Sequence, residues 1–329
     1  MKASIYQVAE TCGVSISTVS RAFNRDAVVH PETRQKILDT AKELGYSPNV
    51  MARALKSSRS RTVGIIVPSI ENTFYLDFLY HLEEQLKRID YRLLVSFDAV
   101  ATGEETAIDS MMTARPEVLL IFPTTIMLGR KLSQIKSETH IIEMFSKKFI
   151  EYDSIRCDDY YGTKAMTQHL LDNGHTNILY TGIDGDPRIM GFFDAYIERG
   201  LEPPGDESLY LSNGNWRGEK EQFLRAFMRK KPTAVLSIAM TAETAWMALY
   251  EQGFRVPDDI SFAVFDDVNW VRMLSLTAVC QPLEEIAAAV VDRIRQVVAS
   301  KETKESCDYM FLPTIKVRNS VKKKENDSK

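Results

Sequence analysis

The sequence has little of what disulfide-stapled, membrane-spanning, metal-binding or catalytic proteins need. Its 329 residues include four cysteines, Cys12, Cys157, Cys280 and Cys307. They lie far apart, with no C-x-x-C pair and no histidine at ligand spacing. They read as reduced thiols of a cytoplasmic protein, with Cys12 acting as a small buried hydrophobe. No stretch approaches the ~18 apolar residues of a membrane span, and the longest runs, such as 118–122, are strand-length. The N-terminus is amphipathic and carries no signal-peptide core. His81, His140, His169 and His175 are scattered and form no metal set. G-x-S-x-G, the P-loop and H-E-x-x-H are all missing. Gly182-Ile-Asp-Gly185 follows a strand-like run but is not a dinucleotide fingerprint. The expectation is a protein that is not an enzyme and holds no cofactor, no metal and no membrane contact.

What is present begins at residue 5. Val8, Ala9, Val14, Val19 and Ala22 recur at helical spacing and give two short apolar faces, with Gly13 between them. Glycine takes positive φ without strain and ends a helix that must turn sharply. Ser15 then caps the next helix. Two helices joined in this way make a helix-turn-helix, a motif whose second helix enters the DNA major groove by its N-terminal residues. Those residues are Ile16, Ser17 and Thr18, with Arg21 one turn on. A third amphipathic helix spans 31–44, with Pro31 at its start, His30 or a nearby polar group as cap, and Gly45 past its end. Ser47 and Pro48 open a fourth helix of about two turns, too short to stand alone in water.

Charge is divided along the chain. Residues 1–61 hold ten basic and five acidic side chains, and residues 316–329 hold six and two. The 25 basic and 38 acidic side chains between them leave that body at −13. A basic head steers one end toward phosphate, and an acidic body keeps the rest away from it.

The segment Ile5-Tyr6-x-Val8-Ala9-x-x-x-Gly13-Val14-Ser15-x-x-Thr18-Val19-Ser20-Arg21-x-x-Asn24 resembles the lactose-repressor/galactose-repressor (LacI/GalR) family of transcription regulators. Thr33-Arg34, Gly45-Tyr46-x-Pro48-Asn49 and Ala52-Arg53-x-Leu55 continue the match without gaps. The resemblance implies a homodimer on a near-palindromic double-stranded operator, with a sensor domain behind the reader. It also implies a hinge helix that orders on DNA and drives Leu55 into the minor groove, with Met51 facing its twin. Arg21, Ile16 and Ser17 are expected to read bases. Ser4, Tyr6, Thr18, Ser20 and Asn24 are expected to position the backbone. Asn49, Ala52 and Leu55 complete the DNA-binding set.

Beyond residue 61, strand-like runs at 62–67, 93–97, 118–122, 140–145, 178–181, 235–239 and 261–265 alternate with helical stretches. The latter lie at 74–89, 103–114, 160–173, 187–199, 218–229, 241–252 and 283–300. This alternation predicts α/β architecture with two parallel sheets covered on both faces. Ligands in such folds bind beyond the carboxyl ends of the strands. Gly64-Ile-Ile-Val-Pro68-x-x-x-Asn72-x-Phe74, Arg188-x-x-Gly191-Phe192 and Phe265-Asp266-Asp267 with Gln281-Pro282 extend the resemblance to a periplasmic-binding-protein-like core. The expected organisation is a DNA-binding domain at 1–46, a hinge at 47–61 and a core at 62–318. One core subdomain covers about 62–158 and 283–308, the other about 159–281 and 309–318, and a disordered tail follows at 319–329.

The resemblance places Arg188 and Asp266 on the effector, and Asn72, Phe74, Thr125, Trp270 and Gln281 complete the candidate pocket. The sequence departs from the family at Ala239-Met240, where an Asn-Asp pair is usual, and at Thr124-Thr125, where some relatives carry an acid. With those anchors gone and Arg188 kept, the expectation tilts toward an acidic or phosphorylated sugar. A protein corepressor is the alternative partner. A solute-binding protein would share the core but not the reader, and a sugar-modifying enzyme would need catalytic residues that are missing. The tail lacks the leucine heptads of a tetramer.

Overall fold

The computed structural model describes residues 3–23, 27–46, 60–97, 104–123, 128–212, 219–299 and 305–324. The chain divides into two compact units, Met1–Arg61 and Thr62–Lys329. Asn24, Asn49, Met51, Ala52, Leu55, Thr124 and Thr125, with nearly all of the hinge, lie outside the described residues.

In the first unit, α1 (Ile5–Cys12) starts on a reciprocal capping box between Ser4 and Gln7 and ends on Gly13 at φ 67°. Helix α2 (Ile16–Ala22) is capped by Ser15, whose Oγ accepts from Thr18 N at 3.1 Å. Pro31 opens α3 (Pro31–Glu43), and His30 precedes it without a side-chain cap bond. Val8, Val19 and Ile37, all fully buried, centre the small core, and Cys12 packs into its edge. Arg34 reaches across to the Ala22 and Ala27 carbonyls at 2.8 and 2.6 Å, which ties α3 to the end of α2.

The second unit holds two six-stranded sheets. The first contains β1 (Thr62–Val67), β2 (Arg92–Phe97), β3 (Val118–Ile121), β4 (His140–Met144), β5 (Asp153–Cys157) and β11 (Asp308–Phe311). Its order is β11-β5-β4-β3-β1-β2, and every pairing is parallel. The second contains β6 (Ile178–Ile183), β7 (Leu209–Ser212), β8 (Ala234–Ile238), β9 (Ser261–Phe265), β10 (Thr277–Cys280) and β12 (Thr314–Lys316). Its order is β12-β10-β9-β8-β6-β7, with only β12 antiparallel. Fully buried strands such as β1, β3, β8 and β9 explain the continuous apolar runs, as expected of sheets covered on both faces.

Helices α4 (Thr73–Lys87), α5 (Glu104–Met112) and α6 (Gly129–Ile135) serve the first sheet. Helices α7 (Asp159–Asp172), α8 (Arg188–Glu198), α9 (Lys220–Lys230), α10 (Ala239–Glu251) and the short α11 (Asn269–Met273) serve the second. Helix α12 (Leu283–Ala299) returns to the first and packs on α4. There Arg293 clamps Asp153 with bonds of 2.6 and 2.9 Å, and His140 Nε2 lies 2.5 Å from the same carboxylate. Burial alone would raise the Asp153 carboxyl, but His140, Arg293 and the Cys307 amide together hold it well below the usual carboxylate range.

Two expected boundaries shift. Residues 308–311 pair with β5 in the first sheet, so the last crossing falls at 312–313 and not near 308. The tail at 319–324 is packed, not disordered. Ser320 is 2% exposed, accepts from Thr277 N at 2.7 Å and reaches the Phe262 carbonyl at 2.5 Å. A short polar residue can bury this way when neighbouring backbone supplies both partners. Ala239 also belongs to α10, not to the preceding strand.

Candidate functional site

On the first unit, α2 turns one side inward through Val19 and Ala22 and leaves Ile16, Ser17 and Arg21 exposed. Ser15 explains that presentation. As N-cap it fixes the helix start, and its hydroxyl also meets Ser17 Oγ at 2.7 Å and Thr18 Oγ1 at 2.8 Å. Ile16, Ser17 and Arg21 are the expected base readers, and their exposure leaves them available. Thr18 and Ser20 are half-buried on the flanks. Ser4 caps α1 and stays exposed, and Tyr6 is 68% exposed. Helix N-termini with short polar side chains suit phosphate contacts, because amide hydrogens and the helix dipole point the same way.

On the second unit, a cavity of about 210 Å³ opens where both sheets present the carboxyl ends of their strands. Phe122 follows β3, Phe145 follows β4, Asp159 follows β5, Ala239 follows β8, Asp266 follows β9 and Gln281 follows β10. Asn72 and Phe74 enter from the start of α4, where Asn72 Oδ1 accepts from Phe74 N at 3.1 Å. One wall is therefore aromatic. Phe74 meets Phe145 edge-on at 4.9 Å, Tyr75 meets Phe122 at 4.9 Å, and Phe122 stacks on Phe145 at 5.6 Å.

The opposite wall is charged. Arg188 Nη2 bonds Asp159 Oδ2 at 2.7 Å, and Arg188 Nη1 bonds Asp186 Oδ2 at 2.9 Å. Its guanidinium lies 4.3 Å from the centre of the Phe265 ring. Burial disfavours the arginine charge, but Asp159, Asp186 and Asp266 hold it protonated. Burial pushes the Asp159 carboxyl up to about 7 against the pull of Arg188. Asp266 moves up for the same reason, offset by Arg188 and Gln281. Asp266 has φ 86°, a left-handed backbone that aspartate tolerates better than most residues. That conformation lets Gln281 Nε2 donate to Asp266 Oδ1 at 2.6 Å.

Of the expected effector residues, Asn72, Phe74, Arg188, Asp266 and Gln281 come together around this cavity. Trp270 does not. It is half-buried against the core of the second sheet and is not among the residues that line the cavity. The expectation of an acidic ligand also loses its premise, since it took Arg188 as an unpaired cation and Arg188 is spent on two carboxylates. Sequence reasoning missed Asp159, Asp186, Tyr75 and Phe145. Asp159 had a signal in its neighbour Asp158, which caps α7 by accepting from Tyr161 N at 2.9 Å and so fixes where Asp159 stands. No helix among the described residues is long and apolar enough to cross a membrane.

Residues 4–49 match the family described as bacterial regulatory proteins of the lacI family. Residues 60–314 match the periplasmic binding proteins and sugar binding domain of the LacI family. The chain is 33% identical to the HTH-type transcriptional regulator DegA of Bacillus subtilis, over 98% of both chains. It is 28% identical to catabolite control protein A of Priestia megaterium, over 98% of this chain and 100% of the other. Among solved structures, it superposes on a lac repressor dimer bound to operator and the anti-inducer ONPF. The TM-score is 0.79 at 22% identity, over 98% of this chain and 100% of that one.

Proposed function

The chain belongs to the LacI family and is a DNA-binding transcriptional regulator with an effector-binding core; we propose that it acts as a homodimeric repressor on a near-palindromic operator. The carrying observation is α2, which buries Val19 and Ala22 and leaves Ile16, Ser17 and Arg21 exposed at and behind a capped N-terminus. Arginine suits the paired acceptors of guanine in the major groove. In this reading Arg21 reads guanine, Ile16 and Ser17 set preference beside it, and Ser4, Tyr6, Thr18, Ser20 and Asn24 hold the backbone. In the same reading residues 47–61 are the hinge, with Leu55 in the minor groove and Asn49 and Ala52 also on DNA.

Exposed apolar side chains on the core support self-association. Leu76 and Tyr80 share one face of α4, Met247 and Tyr250 share one face of α10, and Met273 ends α11. The reading places the dimer in the cytoplasm, with a small ring ligand bound between the subdomains. The cavity is at or below the small end of ligand pockets, which suits a single sugar or sugar derivative. Its aromatic wall stacks on a ring face, and its carboxylates accept hydrogen bonds from hydroxyls. An anionic sugar would meet Asp159 and Asp266 without a free cation.

Selection of bound duplexes from a random library tests the proposal. A two-fold symmetric motif is expected, and sedimentation of the complex should give two protomers per duplex. Enrichment of no motif, or of a motif without symmetry, would remove it.

A further inference from the structure

We infer that the pocket takes a small hydroxylated ligand carrying a protonated amine, of the amino-sugar kind, and discriminates against both its neutral and its anionic counterparts. The inference deepens the proposed function and rests on that reading of the cavity as the effector site.

Charge balance is the first ground. Asp159, Asp186 and Asp266 converge on the guanidinium of Arg188, the one cation among the described residues that line the cavity. With all of them ionised, the cluster stands two negative charges in excess. Arg188 satisfies Asp159 and Asp186 directly, whereas Asp266 makes no ion pair among the described residues and is held by Gln281 Nε2. The nearby phenol and thiol bring no positive charge. Burial pushes the Tyr75 phenol up to about 12 and raises the Cys157 thiol, so both stay neutral. In the adjoining mouth Lys147 and Arg156 share Asp308, and Lys148 adds a further cation, so the negative excess belongs to the cluster around Arg188 itself. The proton that burial favours on Asp159, whose carboxyl is raised to about 7, offsets one of those two charges. An ammonium group relieves the excess without protonating a carboxylate.

The second ground is independent of charge. Gln281 is 7% exposed, lines the cavity, and its Oε1 has no hydrogen-bond partner, because its amide is committed to Asp266. That acceptor and the likewise unpartnered Arg188 Nε are both shielded from solvent, so each meets a ligand donor or hydroxyl only after its side chain turns slightly toward the cavity, a turn that a buried unpaired group favours. The third ground is the aromatic wall of Phe74, Tyr75, Phe122 and Phe145 facing those carboxylates. Aromatic faces attract cations, and amine recognition uses such faces together with acids. Where relatives are expected to carry an Asn-Asp pair, Ala239-Met240 adds no further hydroxyl partner. Discrimination therefore falls on charge.

Full-length protein is titrated by calorimetry and thermal shift at pH 7 with matched sets on the glucose and galactose skeletons. Each set holds the neutral sugar, the 2-amine, its N-acetyl form, the 6-phosphate and the aldonate. In at least one set the amine is expected to bind ten times tighter or more than its N-acetyl and neutral forms, with the anions weakest. Asp266→Asn should cut that ratio below threefold. Asp159→Asn serves the same purpose if the first variant does not fold. The inference is overturned if an anion binds tighter than its amine, or if no amine in either set shifts the melting temperature. Retained binding to the selected operator in that event leaves the regulator reading standing, and its loss would count against the reading itself.

Discussion

Replacing Gly191 with alanine should damage stability and ligand response together. Gly191 lies one turn into α8, where that helix crosses α7 more closely than a side chain permits. A Cβ at this position would overlap the Tyr160 carbonyl oxygen and sit 3.1 Å from Lys164 N. Both are backbone atoms of a helix and cannot rotate aside. The helices must separate by roughly an ångström to restore ordinary contact, and overpacking of this kind costs about 1–3 kcal/mol. The same displacement acts on the pocket. Arg188 is three residues before Gly191 and Asp159 immediately precedes Tyr160, so the 2.7 Å bond between them spans the interface being forced apart. Urea denaturation should show a lower midpoint with an unchanged slope. Calorimetry with whichever ligand binds the parent should show weakened affinity, while the first unit, a separate compact body, should keep its own melting transition. A Gly191→Ala protein with parental midpoint and parental ligand affinity would refute the close-packing argument.

Three further outcomes follow from single contacts. Arg21→Ala should cost about 1–3 kcal/mol on the operator and relax preference at one base pair per half-site, read by fluorescence anisotropy on operator variants; equal loss on random DNA would make Arg21 a phosphate contact. Ser320→Ala removes a buried hydroxyl that bridges Thr277 N and the Phe262 carbonyl, and should lower stability by about 1–3 kcal/mol; a neutral effect on the denaturation midpoint would mean that 319–324 does not hold the core. His175 Nε2 donates to the Lys322 carbonyl at 2.8 Å, its Nδ1 lies 3.1 Å from Thr233 Oγ1, and burial lowers its pKa from 6.5. A histidine with a depressed folded pKa contributes fully above pH 6.5 and loses that contribution as pH falls through and below it. The raised Asp159 carboxyl acts in the opposite direction over the same window, so the readout is the difference between variant and parent. His175→Gln should melt below the parent at pH 7.5, and that gap should narrow as pH falls to 5.5, with His169, shifted the same way, acting equally in both proteins.

Much of this architecture was legible because the elements that carry it are strongly patterned. The runs at 62–67 and 261–265 are buried on both faces and coincide with β1 and β9. The Gly13 turn and the Ser15 cap were readable because each has one local cause. What escaped was tertiary in origin. Strand β5, Asp-Ser-Ile-Arg-Cys, is half polar because Asp153 answers Arg293 from a helix 140 residues away. Strand β7 sits at a sheet edge, and β11 is a short pairing made after the chain has crossed twice, whereas the return of the last strand to the second sheet as β12 was legible. The pocket shows the same division. Arg188 and Asp266 were visible as residues, but the sequence could not show that Asp159 and Asp186 close on Arg188. Nor could it show that Trp270 packs against the core. The sign of the ligand's charge depends on that closure.

The central claim is that a ligand in this pocket changes how the protein holds DNA. Its most direct test is the operator dissociation constant measured across a titration of a ligand whose binding calorimetry has established. The account predicts at least a tenfold change between empty and saturated protein, equivalent to about 1.4 kcal/mol of coupling, with the ligand's own affinity changing by the same factor when operator is present. A ligand that saturates the pocket and leaves operator affinity unchanged would contradict it.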